Sequence, residues 1–241
     1  MQHLSKSSEP SRDQVWEMFD RIAHRYDTLN RILSGGIDIH WRQKLIQCLP
    51  FRPKLKLLDL ATGTADILLT FCQAVPGIEH ADGMDLSEKM LDIGRHKVQQ
   101  ARLQDVITLS TGDAGAIPAA DNVYDAATIS FGIRNVPSVS GCLGEMHRVL
   151  KPGGRALILE FSTPTNPIFR QAYFTYLRHV LPQIGAKLSG DSYAYRYLNQ
   201  TIESFPSGQD FADLMIAAGF SNVRYTPLTL GIASIYQGDK R

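Results

Sequence analysis

The ten residues from Leu57 to Asp66, LLDLATGTAD, constrain the fold of this chain more than any other stretch. Leu57, Leu58 and Leu60 read as a buried strand, Thr62-Gly63-Thr64 as a tight turn, and Ile67, Leu68 and Phe71 as the apolar face of a helix. A strand, a glycine loop and a helix in that order hold ligands at the carboxyl edge of a parallel sheet, where the first helical N–H groups are free. A dinucleotide site would ask for G-x-G-x-x-G, because the backbone must approach a pyrophosphate closely. Only Gly63 is present; Ala61 and Ala65 keep the turn small without opening it. Asp59, Asp66, Asp85 and Asp113 crowd the same edge with acids, which repel a diphosphate and welcome a ligand with a ribose, an ammonium and a sulfonium. S-adenosylmethionine is that ligand. The competing reading is a structural turn with no cofactor.

Later strand ends supply further site residues. A second strand near His80–Met84 ends in Asp85, about twenty residues beyond Gly63, the interval at which an acid reaches the ribose hydroxyls of a nucleoside. The alternative role for Asp85 is a helix N-cap. Val106–Leu109 reads as a third strand, followed by Gly112-Asp113-Ala114, where the Asp113 carboxylate suits an exocyclic amine and Ala114 leaves room for an adenine ring. A fourth strand from Tyr124 ends in Ser130 at the same edge and hands over to Ile133-Arg134-Asn135. Arg134 and Asn135 there are candidates for a substrate or catalytic role, with a salt-bridged loop anchor as the alternative. A fifth strand, Arg155–Glu160, follows the turn Lys151-Pro152-Gly153-Gly154.

The flanking segments are helical. Residues 1–12 read as a loose leader, and Ser11-x-x-Gln14 as a capping box opening an amphipathic helix through Val15, Trp16, Phe19, Ile22, Ala23 and Tyr26. Residues 13–50 read as a helical cap on a single domain spanning 1–241. The aromatic stretch within 163–206 reads as a helical insertion or lid, broken at Pro182. The chain then closes with a helix over Asp210–Ala218 and two strands, Val223–Thr226 and Gly231–Tyr236, as a hairpin with an antiparallel edge.

Composition narrows the function classes. With 241 residues and 44% hydrophobic composition the chain can build one large α/β core. A net charge of +1 without a basic run offers no footprint for nucleic acid. Cys48, Cys72 and Cys142 and the scattered histidines match no disulfide or zinc spacing, so no metal is expected. No apolar run approaches the ~20 residues of a membrane span, which leaves peripheral contact as the only route to a bilayer.

With these residues set out, nearly the whole chain resembles the ubiquinone and menaquinone biosynthesis C-methyltransferases. Tyr26-Asp27-x-Leu29-Asn30-x-x-Leu33-Ser34 with Trp41 is similar to the family's amino-terminal signature, and Arg148-Val149-Leu150-Lys151-Pro152-Gly153-Gly154 through Glu160-x-Ser162 to its second. Ile129–Asn135 and Ala194-Tyr195-x-Tyr197-Leu198 are similar to further blocks. The family loop usually carries glycine where Ala65 stands, and Ser34–His40 is not its commonest spelling.

The resemblance implies a seven-stranded, mostly parallel sheet with helices on both faces and an antiparallel last strand, the Rossmann-like class I methyltransferase fold. It implies S-adenosylmethionine contacted by Gly63, Thr64, Asp85, Asp113, Ala114 and Ser130, with Arg134 and Asn135 orienting the substrate hydroxyl and Tyr195 in the pocket. The expected reaction is C-methylation of demethylmenaquinol; the alternatives are a benzoquinol of the ubiquinone pathway and a non-catalytic scaffold. A polyprenyl quinol loses about 4 kcal/mol for each five-carbon unit drawn into water, at ~0.8 kcal/mol per carbon group. The expected location is therefore the cytoplasm, at the inner face of the membrane, and a homo-oligomer is compatible with the sequence.

Overall fold

Leu57 and Leu58 leave opposite faces of one strand and both are fully buried, so the sheet that holds them is covered on both sides. The computed structural model describes residues 15–183 and 192–241. Among them, seven strands form one sheet: β1 (Leu55–Leu60), β2 (Ile78–Asp85), β3 (Ile107–Thr111), β4 (Tyr124–Ser130), β5 (Leu150–Phe161), β6 (Ser221–Leu228) and β7 (Ala233–Asp239). Their order is β3-β2-β1-β4-β5-β7-β6, parallel from β3 to β5, with β7 antiparallel to both β5 and β6. The antiparallel strand therefore lies inside the sheet, and β6 forms the edge that the hairpin reading gave to an antiparallel strand.

The helices are α1 (Val15–Leu33), α2 (Ile37–Ile46), α3 (Asp66–Ala74), α4 (Glu88–Gln100), α5 (Val139–Val149), α6 (Pro167–Thr175), α7 (Ser192–Ser204) and α8 (Gln209–Ala217). Alternation along β1 divides the core. Leu58 and Leu60 pack with Met146 of α5 and Met215 of α8, whereas Leu55 and Leu57 pack with Phe71 of α3, Val98 of α4 and Leu45 of α2. Ser87, Ser138 and Asn166 cap α4, α5 and α6 through their side-chain oxygens, and Pro167 opens α6 where its missing N–H costs nothing.

Two segments differ from the sequence reading. β5 begins at Leu150, and Lys151–Gly154 becomes an irregularity within it: Tyr124 pairs with Leu150 while Ala126 pairs with Arg155. The helix after Asn166 does not break at Pro182. It widens into a π turn over Tyr176–Val180, where the N–H of Leu181 bonds back to the carbonyl of Tyr176, and continues through 183. Widening just ahead of a proline relieves the clash its ring would make with the preceding turn. Residues 1–14, including the leader and the Ser11/Gln14 capping box, and the remainder of the predicted helix up to Leu188 lie outside the described residues.

Candidate active site

The strand order reverses direction between β1 and β4, and a crevice opens beyond the carboxyl ends of strands at such a point. The two loops that leave these strands touch. A Cβ on Gly132 would stand 2.5 Å from that of Ala61, so only glycine fits there. On the β1 side, Ala61, Gly63 and Ala65 all have φ between 48° and 63°. The two alanines thus adopt a left-handed conformation that glycine takes more readily, at a cost of about 1–2 kcal/mol each. Ala65 has no exposed surface and packs where α4 passes closest, at Gly94.

Above these loops lies a cleft of about 320 Å³ whose lining includes Gly63, Asp85, Asp113, Ala114, Ser130 and Asn135, with α1 supplying Val15, Trp16, Phe19 and Tyr26 as the opposite wall. Five of the six residues expected to hold the cofactor therefore meet in one space. Thr64 does not line it: the residue is buried and its hydroxyl donates to Asp27 at 2.7 Å and receives a bond from Lys97. Asp85 is more constrained than a free ribose acceptor. Its Oδ2 accepts from the Gly63 N–H at 2.8 Å and its Oδ1 from the Ser87 N–H at 2.9 Å, which ties the glycine loop to β2. Each oxygen keeps a second lone pair for a hydroxyl. Ser87, not Asp85, is the helix cap.

Whether S-adenosylmethionine suits this cleft can be judged from its polar groups. Ser130 Oγ is buried without a hydrogen-bond partner among the described residues, so it has donor and acceptor capacity for a ligand. Asp85 and Asp113 face the cleft as carboxylates, favouring a cationic ligand. Burial raises the Asp85 carboxyl above its ordinary range, and backbone donors pull it back. Beneath the loop, Asp59 accepts from Thr62 Oγ1 at 2.7 Å and from Thr128 Oγ1 at 2.5 Å. Burial pushes its carboxyl up to about 7 despite those two bonds. The donor set fits the cofactor.

Arg134 and Asn135 are neighbours on a single 3₁₀ turn (Ile133–Asn135), yet they serve different spaces. Asn135 lines the cofactor cleft, and its Oδ1 accepts from Tyr197 Oη at 3.3 Å. Arg134 lines a second, largely apolar cavity of about 230 Å³ walled by α1, α2, Phe131, Phe161, Tyr173, Tyr176, Leu177 and α7. Phe19, Tyr26 and Phe131 line both and form the partition. In the second cavity Arg134 Nη1 donates to Glu160 Oε1 at 2.7 Å and to the carbonyl of Phe131 at 2.5 Å, and its Cζ lies 5.3 Å from the centre of the Phe161 ring. The salt-bridged anchor is real, but it uses only part of the guanidinium: Nε is buried with no acceptor among the described residues. Sequence reasoning gave Glu160 as the end of the fifth strand and did not pair it with Arg134, since 26 residues separate them and nothing local marks the pair. Tyr195 falls in α7, and its side chain lies outside the described residues.

α1 is fastened over both spaces. Asp20 accepts from Ser87 Oγ, and Asp27 bonds Lys97 and Thr64. Lys97 also pairs with Asp66 at 2.7 Å, and Asp66 with Arg42 at 2.6 Å, so the chain of charges runs from α1 through α4 and α3 to α2. Burial raises the Asp66 carboxyl, but Arg42 and Lys97 outweigh it and hold the group below its ordinary value.

Comparison with known proteins agrees with this geometry. A protein of Geotalea daltonii named ubiquinone/menaquinone biosynthesis C-methyltransferase UbiE is 44% identical over 228 residues, covering 95% of this chain and 97% of that one. A demethylmenaquinone methyltransferase of Porphyromonas gingivalis is 41% identical over 232 residues, covering 96% and 94%. Among solved structures, an S-adenosylmethionine-dependent methyltransferase from Thermotoga maritima superposes with a TM-score of 0.65 at 18% identity, over 94% of this chain and 99% of that one, a likeness of fold. The family model matching residues 6–240 completes the assignment: this chain belongs to the ubiE/COQ5 methyltransferase family and is an S-adenosylmethionine-dependent C-methyltransferase.

Proposed function

We propose that the chain methylates a ring carbon of demethylmenaquinol, the last ring modification of a menaquinone, with a benzoquinol of the ubiquinone pathway as the second reading. The observation that carries the proposal is Arg134 Nε, a buried donor without an acceptor among the described residues, in a largely apolar cavity that shares a wall with the cofactor cleft. An aromatic diol with a hydrocarbon tail matches that combination: the tail and ring seek the apolar walls, and one oxygen takes the N–H.

When bound, S-adenosylmethionine supplies an electrophilic methyl group. Gly63, Asp85, Asp113, Ala114 and Ser130 would hold it. The rest falls to the second cavity. The Arg134 guanidinium stabilises the phenolate that forms as a quinol hydroxyl releases its proton, raising electron density on the neighbouring carbon. Glu160 and the Phe131 carbonyl fix the guanidinium so that little reorganisation is needed. Phe19, Tyr26 and Phe131 keep water away from the path between the two spaces.

The substrate's tail also bears on where the enzyme works, and the reading includes docking at the inner face of the membrane. No helix among the described residues is long and apolar enough to cross a bilayer. Large apolar side chains nevertheless stand in solvent: Leu230, next to the cavity-lining Thr229, is 74% exposed, and Ile168, at the start of the helix that supplies Tyr173 to the cavity, is 81% exposed. Quinone profiling of a deletion strain by mass spectrometry tests the substrate directly. Accumulated demethylmenaquinone supports the first reading, an accumulated methoxy-benzoquinone the second, and an unchanged quinone pool removes both.

A further inference from the structure

The cavity that holds Arg134 has a second buried polar group. Asp38, in the first turn of α2, is 4% exposed and lines the same space. Its Oδ1 accepts from Ser34 Oγ at 2.8 Å. Its Oδ2 lies 3.1 Å from Arg42 Nη2 but out of line for a hydrogen bond, and it has no donor among the described residues. Arg42 is drawn elsewhere, since its Nη1 donates to Asp66 at 2.6 Å. The cavity therefore contains one donor lacking an acceptor, Arg134 Nε, and one acceptor lacking a donor, Asp38 Oδ2. An aromatic wall joins them: Trp41, three residues beyond Asp38 on α2, has its ring 6.3 Å from that of Phe161, over which Arg134 sits.

We propose that Asp38 selects the reduced ring, accepting a hydrogen bond from one hydroxyl of the quinol while Arg134 Nε donates to the other oxygen. The inference rests on the quinol reading above and adds to it the residue that tells quinol from quinone. A hydroxyl can donate and accept; a quinone carbonyl can only accept. The oxidised ring would satisfy Arg134 but would set a carbonyl lone pair against Asp38 Oδ2, which has Arg42 as an ion-pair neighbour but still gains no hydrogen bond. Sites built to pair with a hydroxyl reject analogues that lack it far more strongly than apolar pockets reject a change of size. Selection at this point serves the chemistry, because only the electron-rich ring attacks a methyl sulfonium.

The test is anaerobic binding to the full chain of a naphthohydroquinone with one prenyl group and of the matching naphthoquinone, followed by tryptophan fluorescence, with S-adenosylhomocysteine present. The wild type should favour the hydroquinone by about tenfold or more, as for a hydrogen bond to a charged group. Asp38→Asn, whose amide can donate to a carbonyl, should bring the two affinities within about twofold, chiefly by tightening the quinone. Equal affinities in the wild type, or an undiminished preference in Asp38→Asn, overturn the role of Asp38 and leave the quinol site standing. Failure of both rings to bind a protein that still binds cofactor overturns the quinol reading and this inference together. Should Asp38→Asn not fold, the two monomethyl ethers of the hydroquinone decide the matter on the wild type. The isomer blocked at the oxygen facing Asp38 should bind as weakly as the quinone and the other should not, and equal binding of the two isomers overturns the proposal.

Discussion

Arg134 and Glu160 form an ion pair inside the protein, Nη1 to Oε1 at 2.7 Å, with Arg134 5% exposed and Glu160 fully buried. Burial pushes the Glu160 carboxyl up, and the guanidinium draws it back toward ionisation. Glu160→Gln keeps the shape and removes the charge, so the arginine is left as a buried, unpaired cation. The variant should lose about 3–5 kcal/mol of stability by urea denaturation, with kcat falling more than cofactor affinity.

Arg134→Ala removes the donor to the developing phenolate. Turnover should fall by about 10²–10³, the loss typical of one oxyanion donor, while cofactor affinity measured by calorimetry changes little. The folded state should survive better than Glu160→Gln, because Glu160 can take up a proton once its cation is gone. Unchanged turnover would remove Arg134 from the mechanism.

Gly132→Ala should narrow the cofactor cleft at its floor. The new methyl would meet the Cβ of Ala61 at 2.5 Å, and Ala61 is already held in a left-handed conformation with no slack to yield. Overpacking of this kind costs about 1–3 kcal/mol, to be read as a lower melting temperature together with weaker cofactor binding.

Asp59 makes stability depend on pH. Burial pushes its carboxyl up to about 7 in the folded protein, above the ordinary carboxylate value of about 4, so the native state retains a proton that the unfolded chain has released. Its contribution is full below about pH 4, declines as pH rises, and is gone above about pH 7. Asp59→Asn lacks this titration. The stability of the variant relative to the wild type should therefore rise between pH 4 and 8, by on the order of 4 kcal/mol at most, measured by denaturation across that range.

Leu230→Asp should weaken attachment to anionic liposomes in a flotation assay while leaving cofactor affinity unchanged. The side chain stands in solvent on a turn where Thr229, Leu230 and Gly231 all have positive φ, a conformation unfavourable for threonine and leucine. Retained flotation in the variant would place the membrane contact elsewhere.

Much of this was legible in the chain because its signals are local. The apolar run of β1, the glycine at 63 and the acids and serine at the following strand ends each announce themselves within a few residues, and the sheet's parallel order brings their ends together. What escaped detection depends on distance. Glu160 meets Arg134 across two strands, Asp38 reaches the cavity only because α2 lies against β5, and Lys97 draws Thr64 away from the cleft from the far end of α4. The backbone of the loop was also illegible: Ala61 and Ala65 take left-handed conformations that belong by propensity to glycine and are imposed here by the packing of the loop against its neighbours.

The place of β7 bears on how the molecule is made. Because this strand pairs on one side with β5 and on the other with β6, both of which precede it in the chain, neither facing edge can be satisfied until β7 has left the ribosome. A nascent chain complete through β6 offers two open ladders to any passing strand, and the arrival of β7 closes the gap between them against misassembly.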